Sequence, residues 1–184
     1  EFPREAGIAA AALGTGDMKP VSELAAVMRD EFRAVGLRGV YGYMADIGTE
    51  PRWYRYSETF TESAELNARI MPALVQGLQG GHTNPGSVAL TMKHFPGGGP
   101  QEQGLDPHFS FGKHQVYPGG HFADHIKPFK AAIDAGVSAI MPYYGVPVGL
   151  DYDGLHFSEV GFAFNRQIVT DLLRGKLGFR GYVN

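Results

Sequence analysis

Three times along this chain a short apolar run is followed by a long loop and then by a segment with helical spacing, before a fourth run closes the sequence. The runs cover residues 40–47, 87–92, 137–143 and 181–184, each bounded by turn-forming residues as a buried strand should be. The helical segments between them bury recognisable stripes. Leu66, Ile70, Leu74 and Leu78 form the first, Phe122, Ile126, Phe129, Ala132 and Ile133 the second, and residues 165–177 form a third helix with a basic last turn. Two more helices are expected ahead of the first run, an Ala-rich one over 4–13 and an amphipathic one over 20–35 that carries Val21, Leu24, Ala25, Met28 and Phe32. Strands alternating with helices mark a parallel α/β protein. A doubly wound sheet and an eight-stranded barrel both accommodate the order. A complete barrel takes about 250 residues, so 184 residues supply part of one.

The apolar fraction of 43% is enough for one sizeable domain core. A net charge of −3 with no long basic run gives no electrostatic reason to expect nucleic acid. The absence of cysteine removes disulfides, thiolate metal sites and a thiol nucleophile. No apolar stretch approaches the roughly 18 residues of a membrane span, and the first residues lack the order of a signal peptide. The chain starts without Met and stops within what reads as a strand, so both ends are expected to be internal to a longer protein.

Ligand sites in parallel α/β folds form beyond the carboxyl ends of the strands. Lys93 and His94 occupy such an end, with two residues between them and Gly97-Gly98-Gly99. A surface lysine beside a core-bonded histidine is the ordinary alternative. Arg52-Trp53-Tyr54-Arg55 sets two guanidinium groups around a tryptophan, which suits the faces and hydroxyl edges of a sugar, although Glu50 and Glu58 could simply pair with the arginines. Asp106 and His108 could form an acid/base dyad or an Asp turn. His121 and His125 stand four apart on a helix, a possible metal pair but more simply a solvated face. The triple glycine lacks the spacing of a phosphate loop, and Pro100 removes a donor. In Met141-Pro142-Tyr143-Tyr144, packing accounts for Met141 and one tyrosine, and the other is placed to donate into a site.

Taken in order, Phe2-Pro3, Pro51-Arg52-Trp53-Tyr54-Arg55 with Glu58, Gly77-Leu78-Gln79-Gly80, Lys93-His94-Phe95-Pro96-Gly97, Met141-Pro142-Tyr143-Tyr144 and residues 177–183 resemble the amino-terminal barrel domain of glycoside hydrolase family 3. The similarity is greatest to the β-glucosidase branch. It implies a fold that is part of a (β/α)8 barrel over residues 1–184, incomplete at both ends, with no cofactor and no metal. By resemblance, Arg55, Lys93 and His94 grip the hydroxyls of a terminal sugar, and Met141 and Tyr144 line the same subsite. Tyr54 departs from the family, which usually has glycine there.

The resemblance also implies that no catalytic residue lies within the chain. The family's nucleophile, an Asp in a Ser-Asp pair, would fall just past Asn184, a second sugar-binding Asp before Glu1, and the acid/base Glu in a later domain. These residues alone are therefore expected to be inactive. The implied partners are a β-linked glucoside or oligosaccharide and the remaining segments and carboxyl-terminal domains of a parent enzyme, with neither nucleic acid nor membrane. The implied reaction is release of β-glucose by double displacement in a periplasmic or secreted enzyme. Two alternatives stand beside it: a β-N-acetylhexosaminidase of the same family, with His108 as a loose match to its acid/base, and a non-catalytic carbohydrate-binding module.

Overall fold

A computed structural model describes residues 2–184. The chain opens with α1 (Glu5–Thr15), rich in alanine and closed by Gly16 in the left-handed conformation at φ 76°. Helix α2 (Lys19–Ala34) carries Pro20 in its first turn and buries Val21, Ala25 and Met28, one stripe at helical spacing.

Strand β1 (Gly39–Val40) follows, and it is shorter than the apolar run predicts. The expected strand over 40–47 leaves the ladder after Val40 and touches it again only at Met44, which bridges to Lys93. Gly42 permits the departure. Tyr43 uses it to place its ring edge-on to Phe60 and its hydroxyl on the Met28 sulfur at 3.1 Å.

Helix α3 (Ala64–Gln79) is capped by Ser63, whose hydroxyl accepts from Leu66 N at 3.2 Å, and ends on Gly80 at φ 76°. Strand β2 (Ala89–Phe95), helix α4 (Phe122–Asp134), strand β3 (Ala139–Pro142), helix α5 (Gln167–Lys176) and strand β4 (Tyr182–Val183) complete the alternation. Helix α5 is wound in the wider π form. The long aperiodic stretch after β2 holds short turns and one pair of extended residues, His114–Gln115, that runs parallel to Val146–Pro147.

All pairings in the main sheet are parallel, and its spatial order is β1-β2-β3-β4. A doubly wound sheet reverses its strand order at a switch point. Here each strand is added on the same side of the last, which is the winding of a barrel wall, and the fold is α/β with part of a (β/α)8 barrel. Helices α3 and α4 cover the outer face, where Ile70, Leu74 and Leu78 join Leu90, Met92, Phe129 and Ile140 in a continuous core. No helix among the described residues is long and apolar enough to cross a membrane.

The amino ends of β2 and β3 are tied by one buried side chain. Gln79 Oε1 accepts from Leu90 N and Ser138 N, both at 3.0 Å, and from Ser138 Oγ at 2.8 Å. Its Nε2 donates to the carbonyls of Gly81 and Gly136.

Candidate functional site

Strand alternation would send Lys93 and His94 to opposite faces. The register between β2 and β3 slips at this point: Lys93 lies opposite Met141 and Phe95 opposite Pro142, so His94 is the extra residue of a bulge. Its imidazole is almost fully buried. Beneath it lies Asp46, also buried, whose Oδ2 is 2.9 Å from His94 Nδ1 and accepts from His94 N at 3.0 Å. The second carboxylate oxygen accepts from Gly98 N.

The glycine turn is shaped by close approach. A Cβ on Gly98 would sit 2.6 Å from the Tyr143 ring, and one on Gly99 would sit 1.8 Å from the Ile47 carbonyl oxygen. Gly98 N–H is spent on Asp46, Gly97 O accepts from Tyr117 Oη at 2.8 Å, and Gly99 O accepts from Glu50 N at 3.2 Å. The turn is thus a wall around Asp46.

On the outer side of His94, Nε2 lies 2.9 Å from Arg55 Nη1. Arg55 is held in turn by Glu58 through Nη2 at 2.5 Å and Nε at 3.2 Å, a fork matched to a carboxylate. That bonding holds the Glu58 carboxyl below its usual range, with burial opposing. Arg52 pairs with Glu50 and points to solvent, its side chain 66% exposed against 15% for Arg55. Tyr54, the residue that departs from the family pattern, is exposed and leaves the bonds of Arg55 intact. Lys93 is partly buried, and burial together with the nearby Arg55 charge lowers its pKa. Among the described residues no carboxylate pairs with its ammonium, which lies 5.9 Å from the Tyr41 ring centroid.

A row of rings leads outward from this cluster. His94 stands 4.8 Å from buried Tyr143, Tyr143 stacks on Tyr144 at 6.2 Å, and half-exposed Tyr144 meets the His108 ring edge-on at 4.8 Å. Asp106 holds His108 through the ring at 2.6 Å and through its backbone N at 3.0 Å, so the dyad and the Asp turn are one feature. Arg55, Lys93, His94 and Tyr144 are therefore linked in space, and partly buried Met141 lies beside Lys93 in register.

Two expectations are corrected. Trp53 is buried at 1% exposure, packed edge-on against Tyr143 at 6.1 Å, and supports the site from behind instead of offering a sugar platform. His125 is not on a solvated face, because the first turn of α4 packs under Gly97 and against Tyr117. Its partner in the proposed pair, His121, is exposed and bound to Asp124. No cluster of three metal-ligating side chains occurs among the described residues.

Burial pushes His125 down to about 4 from 6.5, with the Asp46 and Asp124 charges opposing. The unfolded chain then binds a proton that the folded one refuses between these values, so this contribution to stability is complete above 6.5 and is lost as pH falls toward 4. Roughly 2 kcal/mol should disappear between pH 7 and pH 5. Urea midpoints at the two pH values should show that loss in the native chain and a much smaller one in His125→Leu. Equal slopes in the two proteins would remove His125 as the cause.

Asp46 is the residue that sequence reasoning missed. Its signal was available, since a lone carboxylate between Ala45 and Ile47 in an apolar run is buried only when partners await it. A cavity of about 540 Å³ lies elsewhere, between the amino ends of α3 and α4, and includes none of Arg55, Lys93 or His94. A smaller one of about 160 Å³ opens over Lys93, Glu58, Tyr41 and Tyr43.

Residues 1–184 match the family model described as "Glycosyl hydrolase family 3 N terminal domain". The chain is 46% identical over 184 residues to "Beta-glucosidase C" of Emericella nidulans, covering all of this chain and 28% of that protein. It is 36% identical over 185 residues to "Periplasmic beta-glucosidase/beta-xylosidase" of Dickeya chrysanthemi, again with 100% and 28% covered. Among solved structures, the β-glucosidase of Listeria innocua in complex with glucose superimposes with a TM-score of 0.81 at 26% identity, over 99% of this chain and 23% of that one. The chain thus spans a little over a quarter of the length of these curated relatives.

Proposed function

Because the chain belongs to glycosyl hydrolase family 3, matching its N-terminal domain along residues 1–184, we propose that it supplies part of the terminal-sugar subsite of a retaining exo-β-glucosidase. The observation that carries this reading is the anchored donor cluster at the strand ends. Arg55 is fixed by Glu58 and His94, His94 by buried Asp46, and Lys93 stands beside them without a carboxylate partner among the described residues. Arg55 has N–H groups left after its bonds to Glu58 and His94, and Lys93 adds three more donors. Such an array suits hydroxyl oxygens on one edge of a pyranose. Tyr144 and Met141 are read as the adjoining wall. The relatives' names and the glucose complex of the Listeria innocua enzyme point to the same ligand class.

Double displacement needs a nucleophile and an acid/base about 5 to 5.5 Å apart. The carboxylates nearest the cluster, Asp46 and Glu58, are committed to His94, Gly98 and Arg55. In this proposal the chain binds and orients the sugar, and the reacting carboxylates and outer subsites come from other segments and domains of the parent enzyme. The test is hydrolysis by the full-length protein of aryl β-glucoside, β-xyloside and β-N-acetylglucosaminide, with the anomer of the first product followed by NMR. Glucoside cleavage with retention is expected. Cleavage of the N-acetylglucosaminide alone, or inversion, would replace the reading.

A further inference from the structure

We propose that Asp46 is a positioning residue that locks His94 in its Nδ1–H tautomer, so that the bare Nε2 holds Arg55 in place. Arg55 supplies only donors, and Nη1 stands 2.9 Å from His94 Nε2. That nitrogen must therefore accept. The other ring nitrogen then carries the proton and donates it to Asp46 Oδ2, 2.9 Å away. The opposite tautomer would set a lone pair against a carboxylate and an N–H against a guanidinium. A doubly protonated ring would keep the first contact and lose the second. Only one protonation state satisfies both neighbours.

Asp46 is suited to enforce that state. It is fully buried and accepts from three groups, His94 N, His94 Nδ1 and Gly98 N. Its stretch of backbone is fixed as well, because Asn67 on α3 donates to Ala45 O at 3.0 Å. Orientation therefore passes from α3 through Asp46 and His94 to Arg55. Arg55 held in this way presents its remaining N–H groups beside Lys93.

The consequence for binding rests on the sugar-subsite reading, whereas the tautomer does not. In the full-length enzyme labelled with 15N-histidine, the signal of His94, identified by its loss in His94→Gln, should report a protonated Nδ1 and a bare Nε2 at neutral pH. A protonated Nε2 in the native protein would overturn the proposal without recourse to any variant at position 46. In Asp46→Leu, of similar shape but with no acceptor, Nδ1–H loses its partner, and a share of the proton should move to Nε2 and release Arg55. Activity on an aryl β-glucoside should then fall about 10- to 100-fold in kcat/KM, with most of the change in KM. A folded Asp46→Leu variant that keeps the native tautomer in full would also overturn the lock. A switched tautomer with unchanged KM would uphold the lock and instead remove the sugar reading of the cluster.

Discussion

Replacing Gly99 by alanine is expected to destabilise the fold by about 3 kcal/mol or more, at the upper end of what an inserted methyl costs in a packed interior. The new Cβ would lie 1.8 Å from the carbonyl oxygen of Ile47, a backbone atom that cannot rotate away. Relief requires the glycine turn to lift off residues 46–47, and that movement breaks the bond from Gly98 N to Asp46. Gly14→Ala is the control. It lies inside α1 with nothing within 4 Å of the added methyl, and alanine there should be neutral or stabilising by up to about 1 kcal/mol. Urea unfolding of both variants decides the matter. A Gly99→Ala midpoint close to the native one would mean that the turn has room the geometry denies.

Loss of Arg55 should have the largest effect on function. Arg55→Ala in the full-length enzyme is expected to lower kcat/KM on an aryl β-glucoside by about 10²- to 10⁴-fold, as two charge-assisted hydrogen bonds worth about 1.5–3 kcal/mol each are removed. It also leaves Glu58 without its fork and His94 Nε2 without a donor. Arg55→Lys should recover little, since one ammonium cannot hold a bidentate carboxylate and a ring nitrogen together. Steady-state kinetics with a matched thermal-unfolding control makes the comparison. Activity within threefold of native would take Arg55 out of the subsite.

Patterns that depend on neighbours in the chain were readable from residues alone. The stripe of Leu66, Ile70, Leu74 and Leu78 announced α3, and the run into Lys93-His94 announced β2 and the place where a ligand would be met. Features that depend on distant partners were not. The bond from His94 to Asp46 spans 48 residues, and the bulge that turns His94 inward appears only when β2 is laid against β3. Trp53 and His125 were misjudged for a related reason. Spacing reports which face of an element a residue shares, whereas burial at the top of a sheet is decided by loops folding over it, here the glycine turn and residues 116–117. The strand order also lay outside the sequence, because both candidate architectures use the same alternation of elements.

Gln79 gives the two ends of the sheet different characters. At the amino ends a single neutral amide fastens α3 to β2 and β3 through bonds that neither titrate nor screen. At the carboxyl ends the fastening depends on charge, through the Arg55–Glu58 ion pair and the carboxylate of Asp46 that accepts from neutral His94. Strong acid, by protonating Glu58, should therefore loosen the ligand-facing rim before it reaches the base. Substitutions at the rim can change what faces a ligand while the foundation on which the strands are aligned stays as it is.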